Sequence, residues 1–181
     1  MNTMTRPVKT IVRTRRARLA DVPGIHALVA SYAAEGLLLS RTEGEIRQRI
    51  GSFLILEEKG RLAGCAALEA YGEDLAEIRS LAVISSARGR GLGARLVQFA
   101  LAEARRRRIA RVFAVTQAPG FFLQQGFALT VRQALPEKMA RDCRGCPKSR
   151  SCRLAAVIAT VMPGRAILPI LDVPAVPAPV A

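Results

Sequence analysis

The chain has 181 residues, 50% of them apolar, with 28 Lys and Arg against 14 Asp and Glu and a formal net charge of +14. That length suits one domain with a real core and crowds two. No apolar run approaches the roughly 18 positions of a membrane helix, and MNTMTRPVKT has no stretch to serve as a signal peptide, so a cytoplasmic protein without a membrane partner is expected. The charge suits a polyanion, whether nucleic acid, an acidic membrane or a phosphorylated cofactor, without choosing among them. With two Tyr, six Phe and no Trp, few rings are present for base stacking, which disfavours single-stranded nucleic acid.

Residues 1–10 read as a flexible basic N-terminus, and 163–181, with five prolines, as a disordered tail. Between them, residues 11–162 read as a single domain. IVRTRRARL alternates as a strand. DVPGIHALVASYAAEG then places Val22, Ile25, Leu28, Val29 and Tyr32 on one helical face, with Asp21 as N-cap and Gly36 as the stop. Thr42 and Glu45 have capping-box spacing for a second, short helix. SFLILEE, RLAGCAALEAY and LAEIRSLAVIS are three strand-like runs separated by KG and GED, as in an antiparallel meander. GLGARLVQFALAEARRRR has apolar residues at 92, 96, 97, 100, 101 and 104, and its arginines fall in the last turn, at the carbonyl end of the helix dipole. RVFAV follows as a buried strand, PGFFLQQGF as a brief helix closed by Gly126, and LAAVIATVM as a late strand. The order predicts an α+β fold, a mixed, mostly antiparallel central sheet flanked by helices.

Directly after the strand through Val83 comes Ala87-Arg88-Gly89-Arg90-Gly91-Leu92-Gly93, and then an amphipathic helix. A helix N-terminus carries unpaired N–H groups and partial positive charge, and glycines let a backbone approach an anion closely, so the segment reads as a phosphate cradle. It lacks the Gly-Lys-Ser/Thr of the Walker pattern, and the dinucleotide fingerprint requires a parallel strand and an acid about twenty residues on. An exposed basic turn is the plainer alternative.

Arg88-x-x-Gly91-x-Gly93 after LAV resembles the acetyl-CoA pyrophosphate loop of the GCN5-related N-acetyltransferase (GNAT) family, and the element order from about residue 11 to 162 is similar to theirs. The resemblance implies acetyl-CoA as cosubstrate. Backbone amides of Arg88, Gly89, Arg90, Gly91, Leu92, Gly93 and Ala94 would hold the pyrophosphate, and backbone groups of Leu81, Ala82 and Val83 would pair with the pantetheine arm as if it were another strand. A narrower resemblance, carried by GLLLSRT, GCAALE, AEIRSLAV, FFLQQGF and LPEKMARDCRGCPK, is to the short, single-domain N-acetylglutamate synthases of bacterial arginine biosynthesis. It implies acetyl transfer to the α-amine of L-glutamate.

Such a transfer needs a neutral amine, whereas an amino acid's amine is more basic than the roughly 7.7–8.0 of a chain terminus. The resemblance implies Glu77, in its E-x-x-x-x-A-V pattern, as the base, directly or through water; an edge-strand glutamate paired with an arginine is the plainer reading. Alternation puts Glu77, Arg79, Leu81 and Val83 on one face, which makes Arg79 either a substrate contact or that partner. A backbone N–H near Leu81 would receive the oxyanion. Thr116 matches a proton donor for the leaving thiolate, with a structural threonine as the alternative. A dicarboxylate calls for guanidinium forks. Arg41 matches the side-chain carboxylate contact, in a substrate wall with Leu39. At Gln117-Ala118 the chain departs from the Arg and Ser of the long synthases, which leaves open glutamine or another acidic amino acid; within the same class, another small amine or a protein N-terminus is the alternative acceptor.

Cys143-x-x-Cys146 and Cys152 allow zinc or a reversible disulfide, but structural zinc usually takes four ligands, and the single histidine is His26. Inert thiols and no metal are the expectation, and His26 reads as structural. The sequence thus points to an acetyl-CoA-dependent amino-acid N-acetyltransferase acting by direct attack in a ternary complex. A homo-oligomer is left open. The competing class is a basic nucleic-acid-binding module using Arg105 to Arg108 and the N-terminal arginines.

Overall fold

The computed structural model describes residues 11–146 and 152–161. The basic N-terminus and the Pro-rich tail expected from the sequence lie outside the described residues. Seven strands, β1 (Val12–Arg16), β2 (Phe53–Glu58), β3 (Arg61–Ala70), β4 (Leu75–Val83), β5 (Arg111–Thr116), β6 (Ala128–Thr130) and β7 (Ala155–Thr160), form a sheet in the order β1-β2-β3-β4-β5-β7-β6. β4 and β5 are parallel, whereas β1–β2, β2–β3, β5–β7 and β6–β7 are antiparallel. The helices are α1 (Val22–Ala34), α2 (Glu43–Gln48), α3 (Leu92–Arg106), α4 (Pro119–Leu123) and α5 (Pro136–Lys138). The mixed sheet with flanking helices is therefore as the sequence predicts. By its internal contacts the chain divides into two compact units, Met1–Leu68 with Ser80–Ala100, and Glu69–Arg79 with Leu101–Ala181.

In the first unit, α1 buries Val22, Ile25, Leu28 and Val29 against Phe53 and Ile55 of β2, Cys65 and Ala67 of β3 and Ala82 of β4, with Ile46 of α2 completing the cluster. Fully burying each large aliphatic side chain stabilises by about 1.5–3 kcal/mol, which is what keeps so short a helix in place. Gly36, at φ 72°, ends the α1 segment as expected. The expected capping box also forms: Glu45 N–H donates to Thr42 Oγ1 at 3.2 Å and Thr42 N–H to Glu45 Oε2 at 2.7 Å. Asp21 differs from expectation. Its side chain makes no cap to α1; it accepts two hydrogen bonds from Arg15, at 2.8 and 2.9 Å, and one from Arg18 N–H at 2.7 Å. A charged, forked donor outcompetes a neutral amide for that carboxylate.

β2 and β3 turn at Lys59 and Gly60, both with positive φ, the geometry that matches a two-residue hairpin to strand twist. Further along β3, Gly64 marks a close approach: a Cβ there would lie 2.9 Å from Ala82 O, 3.2 Å from Leu96 Cδ1 and 3.3 Å from Val83 Cγ2.

The second unit packs Tyr71, Leu75, Phe113, Leu135 and Ala156 together. β5 pairs with β4 over Leu75–Glu77 and with β7 along its whole length. All six apolar positions expected on the buried face of α3 are buried. No glycine ends α3. Arg108 takes the left-handed conformation at φ 61°, and Ile109 N–H reaches Ala104 O at 2.9 Å, a six-to-one closure ordinarily built on glycine. Gly126, at φ 87°, closes the α4 segment. The edge strand β6 and the turns after Leu135 carry too few apolar residues to be separate elements in the sequence.

Gly64→Ala should destabilise the protein by about 1–3 kcal/mol, because the backbone carbonyl it meets cannot yield as a side chain would. Urea unfolding of the two proteins checks this, and an unchanged midpoint would show that β3 and β4 have room to part.

Candidate functional site

In the first unit the glycine loop has the form an anion cradle requires. Gly89 and Gly91 sit at φ 73° and 72°, where side-chain-bearing residues are strained, and beyond each glycine and its chain neighbours no described atom lies within 4 Å of where its Cβ would be. The first α3 bond runs from Arg95 N–H to Gly91 O at 3.1 Å, so the amides of Leu92, Gly93 and Ala94 precede the helical ladder and have no partner within it. The loop arginines are tethered to the protein. Arg88 lies 4.8 Å above the Tyr32 ring and donates from Nε to its hydroxyl at 3.1 Å, and Arg90 donates to Glu58 Oε2 at 3.2 Å.

Tyr32 does more than carry Arg88. Its hydroxyl donates to Val83 O at 2.7 Å and accepts from Val83 N–H at 3.3 Å. The backbone groups expected to pair with pantetheine are thus satisfied by a side chain at that one residue. Three residues earlier, Ser80 adopts φ 50° while buried. A non-glycine residue there is strained and breaks the strict alternation of β4, so the expected sharing of one face by Arg79 and Leu81 does not follow from period two. Two contacts hold it: Arg41 donates from Nε to Ser80 Oγ at 3.1 Å, and the Cys65 thiol donates to Ser80 O at 3.6 Å. Burial pushes that thiol up to about 12. The conformation brings Arg41, from the segment before α2, onto the strand that leads to the glycine loop. Leu39, expected beside it, is 69% exposed.

In the second unit lies a cluster the sequence discloses only in fragments. Glu77 is 3% exposed, on the interior strand β4 rather than at an edge, and its main partner is a lysine. Lys138 donates to both of its oxygens at 2.9 Å, and the Tyr71 hydroxyl lies 2.6 Å from Oε2. Lys138 also donates to Asp142 Oδ2 at 2.7 Å, and the same Tyr71 hydroxyl lies 2.6 Å from that oxygen. Arg79 reaches Glu69 and Asp142 at 3.1 Å and Glu77 at 3.5 Å; Arg141 reaches Glu69 at 3.1 Å and stacks on the Tyr71 ring at 3.4 Å. Three carboxylates meet three cations around one phenol. A buried charge is tolerated only when so paired.

Glu77 and Arg79 come from β4, Glu69 and Tyr71 from β3 and the turn after it. Lys138, Arg141 and Asp142 come from α5 and the wide turn Met139–Cys143 that follows it, closed by Arg144 N–H to Met139 O at 3.1 Å. The sequence singles out LPEK without a role for Lys138, offers Tyr71 no place as the proton donor, and does not mark Asp142. The available signal was Lys138 and Asp142 at i and i+4, on one face of a helical turn. At the end of β5, Thr116 Oγ1 accepts from Ala118 N–H at 2.9 Å, and Gln117 is exposed. Cys143, Cys146 and Cys152 are free thiols. Among the described residues no three His, Cys, Asp or Glu side chains are placed to hold a metal, and no helix is long and apolar enough to cross a membrane. His26 is partly exposed, with Nδ1 3.8 Å from Glu43 Oε1.

Burial opposes ionisation of Asp142, but hydrogen bonds from Lys138 and Tyr71 and the charges of Lys138 and Arg79 outweigh it and hold the carboxyl well below the usual range. A group depressed on folding stabilises above its unfolded pKa, near 3.9, and loses that contribution as pH falls toward the folded value. Asp142→Asn should therefore flatten the loss of stability below about pH 4. Chemical denaturation across pH 2–7 measures this, and parallel curves for the two proteins would contradict the pairing.

Comparison with known proteins identifies the family. Residues 26–127 match the acetyltransferase (GNAT) family model. The chain is 38% identical over 147 residues to an uncharacterised N-acetyltransferase of Chlorobaculum tepidum, covering 81% of this chain and 95% of that protein. It is 37% identical over 138 residues to an amino-acid acetyltransferase of Neisseria meningitidis, covering 75% of this chain and 32% of the relative. Among solved structures, N-acetylglutamate synthase from Neisseria gonorrhoeae, complexed with coenzyme A and N-acetyl-glutamate, aligns with a TM-score of 0.77 at 32% identity over 86% of this chain and 36% of that one. The chain thus spans about a third of the length of each Neisseria protein. A strand, a left-handed glycine loop and a helix start with open amides, together with a family match over more than half its length, place this chain in the acetyltransferase (GNAT) family.

Proposed function

We propose that this protein transfers the acetyl group of acetyl-CoA to the α-amine of L-glutamate, the first step of arginine biosynthesis, by direct attack in a ternary complex. The observation that carries the reading is the glycine loop. Its left-handed Gly89 and Gly91 leave open space, and the amides of Leu92, Gly93 and Ala94 lie outside the helical ladder, which suits a diphosphate. Arg88, Gly89 and Arg90 complete that cradle. Bound there, acetyl-CoA supplies an activated thioester; the remaining chemistry is the protein's.

Backbone groups of Leu81, Ala82 and Val83 would align the pantetheine arm, and a Leu81 N–H would receive the developing oxyanion, where one fixed donor contributes about 2.7–4 kcal/mol. Glu77 takes the amine proton. Oε1 accepts one hydrogen bond, from Lys138, and a carboxylate oxygen has a second lone pair for the amine or a bridging water. Thr116 already accepts Ala118 N–H on its oxygen, so its own proton is available to the departing thiolate. The Arg41 guanidinium, anchored through Nε at Ser80, is the proposed contact for the substrate's side-chain carboxylate, and Leu39 and Gln117 are further proposed substrate contacts. Arg79 is already committed to Glu69, Glu77 and Asp142, which favours its reading as a partner within the cluster.

The names of the amino-acid acetyltransferase and N-acetylglutamate synthase relatives support the substrate class. The exposed Gln117-Ala118 pair keeps glutamine or another small amine as the second reading. The nucleic-acid reading is weakened by Arg106 and Arg107, both of which pair with Glu103.

Release of coenzyme A measured across free amino acids and N-terminal peptides tests the proposal. Turnover highest on glutamate is expected, and turnover on peptides alone would overturn it. In the same assay Arg41→Ala should raise the KM for glutamate about tenfold or more, as loss of a charged hydrogen-bonded contact does, with acetyl-CoA affinity unchanged. Equal effects on both substrates would remove Arg41 from the carboxylate. Pantetheine pairing at Val83 requires the Tyr32 hydroxyl to withdraw. Tyr32→Phe should accordingly tighten acetyl-CoA binding by up to about tenfold in calorimetry. Weaker binding would make the hydroxyl part of the cofactor site instead.

A further inference from the structure

We propose that Tyr71 and Asp142 form a relay that carries the proton collected by Glu77 out to solvent. The inference rests on the reading of Glu77 as the base. A base that takes a proton at each turnover must release it, yet Glu77 is 3% exposed and both of its oxygens face Lys138. Among the described residues, the oxygen that bridges it to a more accessible acid is the phenol of Tyr71, 2.6 Å from Glu77 Oε2 and 2.6 Å from Asp142 Oδ2. Both separations lie in the range of charge-assisted O–H···O⁻ bonds. A phenol has one proton, so two such contacts on it are each fully made only when a second proton resides on one of the carboxyls. The geometry is therefore complete in the proton-loaded state, and in the charged state one of the two contacts has no proton between its oxygens. The Asp142 side chain is 23% exposed, against 4% for Glu77.

The step balances without any further reactant. The substrate ammonium loses H⁺ to Glu77, giving a carboxylic acid and a neutral amine. As that acid passes its proton to Tyr71 Oη, the phenolic proton moves to Asp142 Oδ2, and Asp142 delivers it to water. Rotation about the Cζ–Oη bond returns the new phenolic proton to face Asp142. No net charge is left behind.

The surrounding groups suit a conduit. Lys138 and Arg79 donate toward Tyr71 Oη at 3.4 and 3.5 Å, while burial and the Glu77 charge hold the phenol well above its ordinary range, so its two proton transfers are concerted and no phenolate forms. Arg141 covers the ring face, Phe113 meets it edge-on at 5.3 Å, and Glu69 holds Arg79 and Arg141 in place. The ring is thereby fixed while its hydroxyl turns. Asp142, depressed by these same cations, gives up a proton readily at neutral pH.

The test compares steady-state acetyl transfer by the full chain and by Tyr71→Phe, Asp142→Asn and Glu77→Gln in low-concentration buffer and with rising imidazole. Tyr71→Phe keeps the ring packing. Its kcat should fall about tenfold or more, up to the 10²–10⁴ that assisted proton transfer contributes, with both KM values within about twofold of wild type. Imidazole should restore several-fold of the loss, while wild type shows no buffer dependence. Asp142→Asn accepts a hydrogen bond but releases no proton, so it should behave alike, and it serves should Tyr71→Phe fail to fold. A folded variant with wild-type kcat, or a loss that no buffer repairs, overturns the relay. Glu77→Gln is the separate control. Activity retained by that variant removes the base itself, whereas its loss beside an unimpaired Tyr71→Phe sinks only the relay.

Discussion

A carboxylate buried at position 77 sets the terms for the second unit. On an interior strand, with almost no solvent, it can remain charged only if cations reach it. The strand's own Arg79 approaches one oxygen at 3.5 Å, too long for a full hydrogen bond, so the ammonium of Lys138, 61 positions along the chain, makes both close contacts. That requirement docks the segment after Pro136 onto β4. The turn that follows, Met139–Cys143, is wound wider than an α-helix and carries Arg141 and Asp142 to the same cluster. Leu135, fully buried just before it, supplies the apolar anchor.

The first unit is organised by a different constraint, the shape of the strand end that feeds the glycine loop. Ser80 holds a left-handed conformation that its neighbours enforce from three directions, through Arg41 on its hydroxyl, Cys65 on its carbonyl and the close approach of Gly64 to Ala82. Such strain persists only where packing over-determines it, and it is a frequent mark of a site. Here it turns a strand that alternation alone would leave straight. Three residues later the Tyr32 hydroxyl occupies both backbone groups of Val83, and Arg88 in turn lies on Tyr32. A residue of the loop and a residue of the first helix thus share one contact at the strand's end.

These two arrangements ask different things of their arginines. The sequence suggests a basic surface, and the charge of +14 is real. Yet Arg15, Arg79, Arg88, Arg90, Arg106, Arg107 and Arg141 each meet a carboxylate or a ring within the protein. These contacts fix where those arginines point and leave the net charge of +14 unchanged. What serves an anionic cosubstrate in the proposed reaction is chiefly backbone amide, which carries no formal charge.

Local rules carried much of the fold. The six buried positions of α3, the Thr42–Glu45 box, the Lys59-Gly60 hairpin and the glycine stops at 36 and 126 follow from side-chain periodicity and backbone sterics, which act over a few residues and are written in order along the chain. The glycine loop was legible for the same reason, since strand, loop and helix start are contiguous. What tertiary structure alone decided is who pairs with whom. Asp21 was drawn from its cap by Arg15, Ser80 was forced out of the β region, and Glu77 acquired a lysine and a phenol. Such partners, from six to 61 positions apart, leave no periodic trace, because a buried charge selects them by distance and geometry once the chain has folded.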